Sequence, residues 1–140
     1  MKNIIGILLI SLLIVSCSSS RVTVERDFYV VLGSCFKEDM VSFSVNNVLA
    51  FEKINLNSDF STGTVLNVSV EYHSGQLVTR INKDQKTNQL QIDNEIYLLI
   101  NRNGQEHNFD LDLSKGKYIL IEGCESTIKV KQSKKKMVFE

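Results

Sequence analysis

The feature that most constrains this chain is a two-residue alternation of apolar and polar side chains that recurs from Asp27 onward. Val41, Phe43 and Val45 alternate with Ser42 and Ser44, and Leu66, Val68, Val70 and Tyr72 with Asn67, Ser69, Glu71 and His73. Phe109, Leu111 and Leu113 alternate with Asn108, Asp110 and Asp112, and Ile128 and Val130 with Lys129 and Lys131. Successive side chains of a strand point to opposite faces, so each run buries one face and wets the other. Between the runs stand residues that accept positive φ: Asn46-Asn47, Ser74-Gly75, Asn103-Gly104 and Ser114-Lys115-Gly116. These are the punctuation of tight turns. Glu95–Asn101 is apolar from Ile96 to Ile100, as a central strand covered on both faces requires. About nine strands, with no sustained 3.6-residue period, predict an all-β chain folded as a single antiparallel β-sandwich, with a small β-barrel as the alternative.

A chain of 140 residues supplies one such domain and not two. The segment Asp112–Ile121 resembles the late strands of transthyretin-like and carboxypeptidase-regulatory-type sandwiches, which implies an Ig-like or transthyretin-like arrangement for residues 27–140. Asn82–Gln89 contains no apolar residue and reads as the longest polar loop. With the Asn55–Gly63 connection it is the expected contact region, because loops on a rigid scaffold carry binding. Sixteen basic residues balance sixteen acidic ones, so neither a nucleic-acid groove nor an acidic tail is expected. There is no Pro and no Trp, which excludes Pro-rich linkers and Trp-based ligand platforms.

The charge balance hides an unlike N-terminus. Residues 1–16 carry one charged side chain, Lys2, followed by an apolar run from Ile4 to Val15 broken only by Gly6 and Ser11. As a helix this run would span about 18 Å, short of the ~30 Å hydrocarbon core, so it reads as a signal sequence and not as a membrane span. It ends in Ile14-Val15-Ser16-Cys17. This resembles the lipobox of bacterial lipoproteins, which implies cleavage before Cys17, diacylglycerol on its sulfur and a further acyl chain on the freed amine. Two or three acyl chains hold a protein firmly to a bilayer, where one does so only marginally. The expected organisation is therefore a signal peptide over 1–16, a lipidated Cys and flexible tether over 17–26, and the sandwich over 27–140. The whole chain, with 12 Asn and 13 Ile, is similar to short envelope lipoproteins of bacteria such as Bacteroidota. No acid follows Cys17 before Glu25, and in the lipoproteins this resembles that points to the outer membrane, facing the periplasm. Leu32-Gly33-Ser34-Cys35 also has lipobox chemistry, but charged residues just upstream leave it no apolar run, so Cys35 belongs to the folded domain.

With Cys17 taken by lipid, Cys35 and Cys124 remain in an oxidising compartment, where a disulfide is the natural pairing. Two buried thiols and a redox pair are the other readings; no Cys-x-x-Cys supports the last. His73 shares a polar strand face with Glu71 and reads as solvated, while His107 shares parity with Phe109 and Leu111 and reads as capping the edge of the core. These two with Glu71, Asp110 or Asp112 lack the ligand spacing of a metal site, so no metal or cofactor is expected. Asp110 and Asp112 on one face can imitate the carboxylate pair of a glycosidase, yet alternating acids are commoner as edge-protecting charges. Lys129, Lys131, Lys134, Lys135 and Lys136 read either as attraction to anionic headgroups or acidic glycans, or as the solvated guard of a last strand. The four tyrosines form no visible sugar-stacking face. The expected function is a non-enzymatic envelope lipoprotein that meets the lipid bilayer through acylated Cys17 and binds an envelope protein or glycan. The alternative is a cell-wall-directed hydrolase or inhibitor module.

Overall fold

The structure, a computed structural model, describes residues 26–59, 61–65 and 67–138. The expected signal peptide, Cys17, the tether as far as residue 25, and Leu66 lie outside the described residues.

Ten strands and no helix form among them: β1 (Phe28–Leu32), β2 (Asp39–Val45), β3 (Val48–Leu56), β4 (Val68–His73), β5 (Gln76–Ile81), β6 (Asp84–Gln89), β7 (Ile96–Arg102), β8 (Gln105–Leu111), β9 (Tyr118–Glu122) and β10 (Lys129–Ser133). They make two sheets, one of six strands in the order β10-β9-β1-β4-β5-β6 and one of four in the order β3-β2-β7-β8. Two open sheets face to face are a sandwich-like layering, so the barrel alternative is set aside. The alternation does what it predicts in β2 and β4, where Val41, Phe43, Val45, Val70 and Tyr72 are buried, and Phe28, Val30 and Leu32 of β1 and Ile96, Leu98 and Ile100 of β7 are buried with them. Phe28 stacks on Tyr72 within the six-stranded sheet, and Phe43 lies beside Phe51 within the other. The turns also fall as expected. Asn46-Asn47, Ser74-Gly75 and Asn103-Gly104 all have positive φ at both positions, and the residues flanking them pair directly, as two-residue hairpins require.

The structure departs from the sequence reading at three places. Asp84–Gln89, expected as loop, is an antiparallel edge strand hydrogen-bonded along β5. A strand with one free edge and few buried side chains needs no apolar alternation, and this accounts for ten strands where nine were expected. The sheets are not wholly antiparallel either, because β1 pairs parallel with β9 from Tyr29↔Tyr118 to Leu32↔Ile121. Finally, β7 is buried on one face only, its outward residues Tyr97 and Leu99 being half-exposed.

The registers sort every loop to one of two ends. The chain enters at the N-terminus of β1, and the Asn46-Asn47 turn, the Ser74-Gly75 turn, the 112–117 crossover and the end of β10 share that entry end. Gln132 pins the crossover by donating from Nε2 to the carbonyls of Asp112 and Gly116, both at 2.9 Å. Gly116 has φ +146°, and a Cβ there would run into the backbone of Ser133 and Lys134, so the crossover can sit against the end of β10 only as glycine. At the far end lie the Asn82-Lys83 and Asn103-Gly104 turns and the loops following β1, β3 and β9.

Candidate functional site

The far end is built around the disulfide. Cys35, at positive φ in the loop after β1, is bonded to Cys124 in the loop after β9, 89 residues along the chain. Backbone hydrogen bonds hold the two loops together as well: Gly33 N–H donates to Ile121 O at 2.7 Å and Gly123 N–H to Ser34 O at 3.0 Å, extending the β1–β9 ladder into them.

A buried ion pair lies beside the bond. Arg102, the last residue of β7, donates from Nη2 to Asp39 Oδ2 at 2.7 Å and from Nη1 to Gly123 O at 2.8 Å. Its guanidinium also lies 5.8 Å from the centre of the Phe36 ring. Asp39 is 5% exposed, and its other partners are Asn103 Nδ2 at 2.6 Å and the Lys37 N–H at 3.1 Å. Burial pushes the Asp39 carboxyl up, but the Arg102 hydrogen bond, those of Lys37 and Asn103, and the Arg102 charge together hold it below the usual carboxylate range. One arginine thus ties the four-stranded sheet to the loop that carries Cys124. The sequence reading places Asn103 in a turn and singles out neither Asp39 nor Arg102. Their partners lie 63 and 64 residues away, and no local pattern signals such a pair.

The Asn55–Gly63 connection, expected as a contact region, packs against the same end. Ser58 Oγ donates to Gly33 O at 2.8 Å and accepts from Phe36 N–H at 3.0 Å. Asp59 organises the tip: its Oδ1 accepts from the Ser61 hydroxyl, the Ser61 N–H and the Thr62 N–H. Those bonds, the Ser61 hydroxyl first, hold the Asp59 carboxyl below its ordinary value. Among the described residues of this connection Asn55, Asn57 and Ser61 are exposed, and Asp59 links to Ser61 and Thr62 through their N–H groups.

Of the remaining candidates, His73, Asp110 and Asp112 lie at the entry end and His107 nearer the far end, opposite Ile100, so the fold does not bring them together. His107, Phe109 and Leu111 point inward along β8 and Asp110 outward, as parity predicts. A cleft of about 750 Å³ opens at the entry end, lined among others by Arg26, Glu95, Ile96, Asp110, Leu111 and Asp112. Arg26 donates to Asn94 O at 2.9 Å across it. The Asp112 carboxyl is held low by hydrogen bonds from Ser114 and, less strongly, by Lys115. Neither histidine lines this cleft. His73 is not merely solvated: its Nδ1 lies 2.6 Å from Asp27 Oδ2 and its Nε2 3.1 Å from Ser74 Oγ. No local pattern signals this row, because Asp27 precedes β1 and meets His73 only through the β1–β4 pairing. An acid, an imidazole and a hydroxyl in that order can polarise the hydroxyl toward nucleophilic attack.

No family model, no curated protein and no solved structure matches this chain. Its chemistry is therefore read from its own residues. Among the described residues no three His, Cys, Asp or Glu side chains group closely enough to hold a metal ion.

Proposed function

We propose that the protein is a lipid-anchored module of the bacterial envelope, acylated on Cys17 and facing the periplasm from the outer membrane. Its sandwich binds an envelope protein or glycan and performs no chemistry of its own. The observation that carries this reading is the Cys35–Cys124 bond, because structural disulfides belong to oxidising compartments. The signal-like run ending in Cys17 supplies the route to one. The chain enters the domain at the end opposite the disulfide, so an anchor at Cys17 leaves the disulfide end directed away from the bilayer. That end presents the Asp59 loop and the Asn82-Lys83 turn on a scaffold tied by a disulfide and a buried ion pair. Hydrogen bonds from Ser61 and Thr62 to Asp59 lower the entropic cost of ordering that tip on binding. A photo-crosslinking residue at Ser61 or Lys83 in living cells is expected to trap a discrete adduct, and one at Asp110 to trap none. Adducts confined to Asp110 would reverse the polarity of the account.

The Asp27–His73–Ser74 row favours a second reading, a hydrolase acting on cell-wall material. In it His73 takes the Ser74 proton as Oγ attacks an acyl carbon and Asp27 steadies the imidazolium, which then protonates the leaving group as its bond to the acyl carbon breaks. Water releases the acyl group from Ser74 by the same route. This reading expects a fluorophosphonate to label Ser74 in the same cells, with the label lost in His73→Ala. The first reading expects no label there.

A further inference from the structure

We infer that one corner of the entry end, formed by the start of β9 and the end of β10, docks on the anionic phospholipid surface that holds the anchor. This rests on the lipid-anchor reading above. The strand directions assemble the corner from distant segments: Ser133 closes β10 opposite Tyr118, and Tyr118 opens β9 beside Tyr29 of β1. Lys117, Lys134, Lys135 and Lys136, all exposed, therefore gather where the chain enters. Lys117 Nζ stands 5.9 Å and 5.8 Å from the centres of the Tyr29 and Tyr118 rings, which stack on each other at 5.4 Å. Lys136 and Met137 share a shallow hollow with both tyrosines, and Val138 beyond them is 80% exposed. Cations around aromatic rings and free apolar side chains match a headgroup layer, where ammonium groups meet phosphate and rings sit at the interface.

The guarding of a strand edge does not account for these lysines. Lys129 and Lys131 lie on β10 itself, and Lys131 is paired to Glu122 at 2.6 Å. Lys134–Lys136 come after the strand has ended, and Lys136 reaches the outer face near Tyr29 rather than the edge. Among the described residues no carboxylate lies within 4.0 Å of Lys117, Lys134, Lys135 or Lys136. Glu71 lines the same hollow but is paired to Arg80 at 2.7 Å, and Asp27 faces His73. The other acids of this end sit on its other side, where Glu95, Asp110 and Asp112 line the cleft of the four-stranded sheet and Lys115 acts on Asp112. A negative surface attracts the first side and repels the second, so the domain leans on the β9–β10 corner. Eight residues, 18–25, separate Cys17 from Arg26, a contour of at most about 32 Å over the nine steps between them. The corner is thus kept near a surface whose field extends about 8 Å at physiological salt, and its local concentration is high.

The test uses the mature, membrane-extracted protein reconstituted in vesicles and reads acylation of each lysine by a water-soluble amine reagent. On vesicles with one-third phosphatidylglycerol, labelling of Lys117 and Lys134–Lys136 is expected to slow about fivefold relative to pure phosphatidylcholine, with Lys37 and Lys83 unchanged. The protection is expected to vanish at high salt. Flotation with the neutral vesicles reads the anchor separately, since acyl chains need no anionic lipid. A protein that floats on both vesicles but labels equally on both overturns the docking alone. One that does not float on the neutral vesicles overturns the anchor, and the docking with it. Protection by a soluble sulfated glycan but by neither vesicle would assign the corner to carbohydrate instead, and protection of Lys37 and Lys83 would place the wrong end on the membrane.

Discussion

Reduction of the Cys35–Cys124 bond is expected to lower the stability of the domain by about 2–4 kcal/mol, which for a domain of this size is a fall in Tm of roughly 10–15 °C. The reason lies in which contacts the bond secures. A parallel strand pair cannot be joined by a hairpin and needs a long connection, and here β2 to β8 all lie between β1 and β9. Closing so long a loop is entropically the costliest step in assembling the six-stranded sheet. The disulfide spans 89 residues and closes that loop one step beyond the β1–β9 ladder, so the oxidised chain carries the constraint even when unfolded. Calorimetry of the oxidised and reduced protein measures the difference. An unchanged Tm would mean that the native contacts alone hold the parallel pair.

Arg102→Met is expected to destabilise the domain by about 3 kcal/mol, because it leaves the buried Asp39 carboxylate without its cation. The Arg102→Met, Asp39→Leu double variant is expected to recover part of the loss, since no uncompensated charge then remains buried. The same pair sets a pH dependence. Asp39 binds its proton more weakly folded than unfolded, so its contribution is present above the unfolded carboxylate value of about 4 and is lost as pH falls through the lower folded value. Denaturation midpoints followed from pH 7 to pH 2 are expected to fall less steeply in Asp39→Asn than in the native chain. Equal slopes would show that the ion pair does not govern the acid limb.

How much of this was legible in the sequence depends on distance along the chain. The three hairpin turns with paired positive-φ residues are local, and the inward residues of β2, β4 and β8 follow from parity. β6 was hidden because its backbone is recruited by β5, and its side chains, Asp84 to Gln89, are all polar. The parallel β1–β9 pair was hidden because alternation identifies strands and not their neighbours. The Cys35–Cys124 pairing was one of three open readings, and the fold brings those residues together. Asp39–Arg102 and Asp27–His73 join residues 63 and 46 positions apart. Polar residues of this kind are common at strand ends, so nothing in their neighbours marks them as partners. The lysines were visible as a cluster, but only the return of β10 to the entry end distinguishes a patch from an edge guard.

The most direct test of the account is the intact mass of the protein extracted from the membranes of its own cells without reductant. The expected mass is that of a chain beginning at Cys17 that carries a diacylglyceryl group and a further acyl chain, and that gains two hydrogens only when Cys35–Cys124 is reduced. An unacylated chain retaining residues 1–16, or one whose two remaining thiols are already free, would contradict it.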